Sequence, residues 1–172
     1  MHYLLGIITD RCCNARNYDV DLPLSELKSE IKSDIEEFLN EQCFPSVADW
    51  WALDAGRWSN EYPDNVISAN DDEFFKTLSQ LMTNQEEEMR WQLYNLNGGS
   101  DLKSRVENYA VETDSIDTYR LLIIAKYLAG EIQTESFVYD LDRGTSRITE
   151  DMIENYKANR DKYYLTLVDI HC

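Results

Sequence analysis

The apolar positions of this chain follow two rhythms, separated by irregular stretches. His2 to Thr9, HYLLGIIT, is a short aliphatic run that predicts a strand buried on both faces. Asp10 to Asp21, with Asn14, Asn17 and Asp19, reads as a loop, and Pro23 and Ser25 favour a helix start. Leu24, Leu27, Ile31, Ile35, Phe38 and Leu39 then recur at helical spacing and fall on one face, which predicts a helix over about 24–42, stopped before Pro45. Residues 44–69 have no sustained period and are broken by Pro45, Gly56 and Pro63, with room for one short strand or helical turn at no fixed place. A second helix begins at Asn70, whose side chain is placed to cap Glu73. Its expected buried stripe is Phe74, Leu78, Leu81, Met89, Leu93 and Leu96, and Gly98-Gly99 ends it. Ser100–Val111 and Ile116–Leu128 are further helical segments. Ser136–Leu141 reads as a strand, 142–146 as a turn, and Thr149 as the cap of a helix to about Arg160. Tyr163–Ile170, YYLTLVDI, is a closing strand rich in β-formers.

This order predicts an α+β fold: a small, mostly antiparallel sheet of three to four strands including both termini, with four to five helices. Residues 1–172 read as one domain, with room for a helical subdomain at about 70–130. If the terminal strands pair antiparallel, the start of the first lies beside the end of the last, so His2, His171 and Cys172 cluster.

Composition narrows the functional classes. The 172 residues are 43% hydrophobic, enough for a core, and carry a formal net charge of −17. That charge repels phosphate, which argues against direct nucleic-acid binding and against adhesion to anionic membranes. No apolar run is long enough to span a bilayer, and the first ten residues show no secretory leader. The expected location is therefore cytoplasmic, with Cys12, Cys13, Cys43 and Cys172 as reduced thiols. Neither a CxxC nor an HxxxH spacing occurs, nor any glycine-rich phosphate loop or nucleophile elbow. No metal, no cofactor and no catalytic residue is expected, and a non-enzymatic role is favoured over an enzymatic one.

The charge is unevenly spread: net −6 over 1–60, −8 over 61–115 and −3 over 116–172. On the first helix Glu26, Glu30, Asp34, Glu37 and Glu41 fall within about 80° of one another, beside the apolar face. Carboxylates four residues apart lie about 6 Å apart along the axis, comparable to successive phosphates on one nucleic-acid strand. Like charges at this spacing cost about 0.2–0.5 kcal/mol per pair. Lys28 and Lys32 lie on another side and do not relieve them. The stripe is either a solvated face that maintains solubility or a surface offered to a basic partner. The run Glu86-Glu87-Glu88 spreads around its helix and reads as solvated.

The segment DWWALDAGRWS, Asp49–Ser59, gathers Trp50, Trp51 and Trp58 around Arg57. Such side chains either pack a satellite core, with Arg57 stacked on an indole and paired to Asp49 or Asp54, or form a contact surface. The segment resembles a D-W-[WY]…G-G-R-W-S signature of uncharacterised phage and bacterial proteins, some of which also end in a V-D-x-H strand like Val168–His171. It departs from that signature at Ala55, where the first glycine is missing. The resemblance carries no activity; it implies a mobile-element origin, and with it residence in the host cytoplasm.

Together these readings predict an acidic, non-enzymatic interaction protein. Its concrete form is a phage or mobile-element inhibitor of host defence, acting as a DNA mimic on the basic surface of a nucleic-acid-binding protein. Glu26, Glu30, Asp34, Glu37, Glu41, Trp50, Trp51, Arg57 and Trp58 are the candidate contacts. The alternative is a small enzyme or ligand-binding domain with a pocket at the tryptophan-rich loop 44–62. Self-association is left open.

Overall fold

The computed structural model describes residues 1–11, 22–43, 47–96 and 116–172. The fold is α+β, with five strands in one mixed sheet rather than three to four, and four α-helices among the described residues. The terminal strands β1 (His2–Asp10) and β5 (Tyr163–His171) run antiparallel along their whole length, from His2↔His171 to Asp10↔Tyr163. β4 (Val138–Asp140) adds to the other edge of β1 in parallel, across Gly6–Ile8 only. The extra strands come from the segment read as irregular. Here β2 (Trp50–Ala52) and β3 (Val66–Ser68) both pair antiparallel with the free edge of β5, one near each end. Three-residue strands leave no alternation to read in a sequence, and these exist because β5 supplies a template edge.

Strand alternation divides the core. On one face Leu5, Ile7, Val168 and Ile170 pack against Leu27, Ile31 and Ile35 of α1 (Leu24–Phe38). On the other Ile8, Leu165 and Leu167 pack against Phe74, Leu78 and Leu81 of α2 (Asp72–Leu96). Gly6 lies under α2, where a Cβ would come within 2.5 Å of Leu81 Cδ1. α3 (Ile116–Ala129) packs on α2, and α4 (Glu150–Ala158) follows Thr149, whose hydroxyl accepts from the Met152 amide. None of the described helices is long and apolar enough to cross a membrane.

Several local expectations are corrected. The first helix is α-helical only to Phe38; Leu39–Cys43 form a wider π turn. The second helix is capped by Asp71, which accepts from the Glu73 amide at 3.0 Å, not by Asn70, whose own amide is bonded to Ser68. Its buried face omits Leu93, 45% exposed, and takes in Thr77, Gln85 and Gln92. Gln85 is inside because its amide substitutes for a strand. Its Oε1 accepts from the Phe137 and Val138 amides and its Nε2 donates to the Ser146 carbonyl. Of the loop predicted over 10–21, Asp10 belongs to β1 and residues 12–21 lie outside the described residues, as do the helix at 100–111, the Gly98-Gly99 stop and the thiols of Cys12, Cys13 and Cys43.

Candidate functional site

β5 collects the chemistry that the sequence scatters. Because His2 pairs with His171, and His171 with Trp50, three rings share one face of the sheet. Trp50 stacks on His171 with centroids 5.4 Å apart and planes 7° from parallel, and His2 stands edge-on to both. Each imidazole is held by its own carboxylate. His171 Nδ1 lies 2.6 Å from Asp49 Oδ1, and this hydrogen bond holds the Asp49 carboxyl below its ordinary value. His2 Nδ1 lies 2.9 Å from Asp169 Oδ1.

The two pairs differ in setting. Asp49 is exposed, whereas Asp169 is only 1% exposed and also accepts the Arg57 amide at 3.1 Å. The turn that delivers this amide is tight. Ala55 sits at φ 65°, in the left-handed region, followed by Gly56 at φ 46°. A Cβ on Gly56 would lie 2.4 Å from Asp169 Oδ2. The residue that departs from the D-W-W…G-G-R-W-S signature thus occupies a backbone position that suits glycine. A carboxylate on Nδ1 leaves each Nε2 as the ring atom able to exchange a proton or accept a hydrogen bond. Sequence reasoning brought the two histidines together but missed their carboxylates; the V-D-x-H spacing, which puts Asp169 and His171 on one face of a strand, is the signal that was there to read. Cys172 does not join them, since alternation turns it to the other face, where its thiol donates to the Val47 carbonyl.

The three loop tryptophans do not form one cluster. Trp51 packs against the α1 core, Trp58 against the α2 core, and Trp50, 43% exposed, remains on the surface. Arg57 stacks over Trp58 at 5.7 Å and is exposed, but its expected carboxylates are engaged elsewhere: Asp49 by His171, Asp54 by the Gly56 amide. The hollow within the loop is shallow, about 290 Å³ beside Asn40, Asp49, Trp50 and Trp51.

Glu26, Glu30 and Glu37 of α1 and Glu41 beyond it are exposed, and none is in an ion pair among the described residues. Asp34 departs from the expectation: it is half-buried and has a partner. Glu41 lies on the π turn, whose larger number of residues per turn rotates it away from the α-helical progression of the stripe. Lys28 pairs with Asp64, away from the stripe. Of the run at 86–88, Glu86 pairs with Arg90, and Glu88, half-buried, accepts from Gln92. No described group of three or more His, Cys, Asp or Glu is arranged to hold a metal ion.

No protein-family model, no curated protein and no solved structure matches the chain. The segments Asp49–Ser59 and Val168–His171 are adjacent in the fold, joined by the β2–β5 ladder.

Proposed function

We propose that this is an acidic interaction protein that docks the exposed face of α1 into a basic, nucleic-acid-binding site of a partner protein. The observation that carries the reading is the row Glu26, Glu30 and Glu37: exposed carboxylates on one helix face, with no cation among the described residues paired to them. The version to test first is an inhibitor carried by a mobile element that blocks a host defence protein by standing in for DNA. Such a surface works through long-range attraction, so it governs association rate and salt dependence.

The test is capture from host lysate with wild type and with a Glu26→Lys/Glu30→Lys/Glu37→Lys variant, followed by binding kinetics on the captured protein. Asp34 is left intact because it has a structural partner. The variant keeps the apolar face and is expected to fold as wild type. It should bind far more slowly. Wild-type binding should weaken as the Debye length falls from about 10 Å at 0.1 M salt to about 3 Å at 1 M. A variant that captures the same partner at the same rate overturns the proposal.

A second reading is favoured by the paired Asp–His arrangement beside Trp50: a ligand-binding or catalytic site at the β2–β5–β1 junction, with the His2 and His171 imidazoles as proton carriers. Under that reading Trp50→Ala and His171→Ala abolish binding through faster dissociation with little salt dependence. If the ring cluster only tethers the termini, the same variants lower the melting temperature and leave binding unchanged.

A further inference from the structure

β4 reaches only Gly6–Ile8, so among the described residues the first residues of β1 have no strand on that edge. There the C-terminal part of α2, the start of α3 and the segment before β4 line an open cavity of about 650 Å³. Tyr3, Trp91 and Tyr119 supply aromatic surface to its walls. Glu135 lies against them and is only 6% exposed. Its Oε1 accepts from the Tyr119 hydroxyl at 2.5 Å and its Oε2 from the Thr134 hydroxyl. A carboxylate has about four acceptor positions, so two neutral donors leave it half satisfied. No cation among the described residues is within ion-pair distance of it.

A second group in the same wall has the same need. Gln92 is 3% exposed; its Nε2 donates to Glu88 Oε1 at 2.8 Å, and its Oε1 has no hydrogen-bond donor. The unmet polar demand is therefore all for donors. Among the described residues two positive groups border the cavity: the Met1 ammonium donates to the Cys172 carbonyl, and the Arg120 guanidinium lies over Trp91 at 5.8 Å. The local field is negative. Burial and then the neighbouring Glu135 hold the Tyr119 phenol at about 12, and burial with Glu135 among its causes raises Tyr3 and brings the Cys172 thiol to about 11.

We propose that this cavity binds an organic cation: a primary ammonium on an aliphatic stem, its head on Glu135 and its stem between Tyr3, Trp91 and Tyr119. A buried carboxylate is costly until paired, and aromatic faces attract cations through their quadrupole. The volume lies within the range of small-ligand sites. Two sources offer this chemistry, a free alkylamine and a lysine side chain of another protein. The inference does not depend on the α1 surface.

The experiment titrates the full chain with 1-aminopentane, with Nα-acetyl-lysine methylamide and with 1-pentanol as the neutral isostere. Binding is read by calorimetry and by the Trp91 indole N–H resonance. The amine should bind about tenfold or more tighter than the alcohol, as one charged hydrogen bond implies. Glu135→Gln should remove that advantage, and Glu30→Gln on α1 should not. Because Glu135 is buried, Trp91→Ala, at a 53% exposed position, serves as a second variant that keeps the fold and weakens the amine. Binding of the lysine amide as tightly as the free amine assigns the site to a protein side chain; binding of the free amine alone assigns it to a small molecule. Equal affinity for amine and alcohol, absence of amine binding, or amine binding unaffected by both variants overturns the proposal. The α1 reading fails separately, through the lysine variants of Glu26, Glu30 and Glu37.

Discussion

Asp169→Ala tests the physical account of the ring cluster most directly. The carboxylate is 1% exposed and accepts from two donors, His2 Nδ1 at 2.9 Å and the Arg57 amide at 3.1 Å. Alanine removes both bonds and leaves the amide of a tight turn without an acceptor beneath Gly56. Each bond contributes about 1 kcal/mol net, and an orphaned donor costs about 1–3 kcal/mol, so a loss of about 3 kcal/mol is expected. For a chain of this length that corresponds to a fall in Tm of about 6–12 °C. Asp169→Asn keeps the size and one carbonyl acceptor for the Arg57 amide while losing the charge, and should cost about 1 kcal/mol. Urea unfolding followed by tryptophan fluorescence measures both variants, with the thermal transition as a check. Losses of under about 1 kcal/mol for alanine, or equal losses for alanine and asparagine, refute the view that this carboxylate organises the Gly56–Arg57 turn.

Two further outcomes follow from local geometry. Gly56→Ala combines a positive φ with a collision against Asp169, and should cost about 3 kcal/mol, whereas Gly144→Ala, at φ 63° with nothing nearer than 3.8 Å, should cost only about 1 kcal/mol in the same urea assay. Tyr119 is expected to ionise at about 12 rather than 10, which a difference absorbance titration against Tyr119→Phe measures. Its folded value is raised, so its contribution to stability is complete below pH 10 and is lost as the pH rises to about 12; the phenylalanine variant should lack that step.

The sequence by itself determined the elements whose side chains repeat over enough residues to bury a face. β1 and β5 were legible because both are long runs of β-formers, and α1 because Leu27, Ile31 and Ile35 recur at helical spacing. Antiparallel pairing of the termini was a condition in the sequence that the structure meets, and under it the meeting of His2 and His171 follows from strand polarity. Tertiary structure decided the rest. β2 and β3 are strands only because β5 offers an edge, and three residues hold no period. The three loop tryptophans looked like one cluster in sequence, but strand alternation at β2 sends Trp50 and Trp51 to opposite faces and the following turn carries Trp58 to the α2 core. Gln85 and Gln92 are absent from the apolar stripe read for this helix, yet both are buried, and the Gln85 carbonyl accepts from two amides at the start of β4. Glu135 was one acid among thirty-three. Only the folded chain sets it under Tyr119 with no cation among the described residues in ion-pair distance, because burial and the distance between charges are properties of packing, which a one-dimensional pattern of charge does not contain.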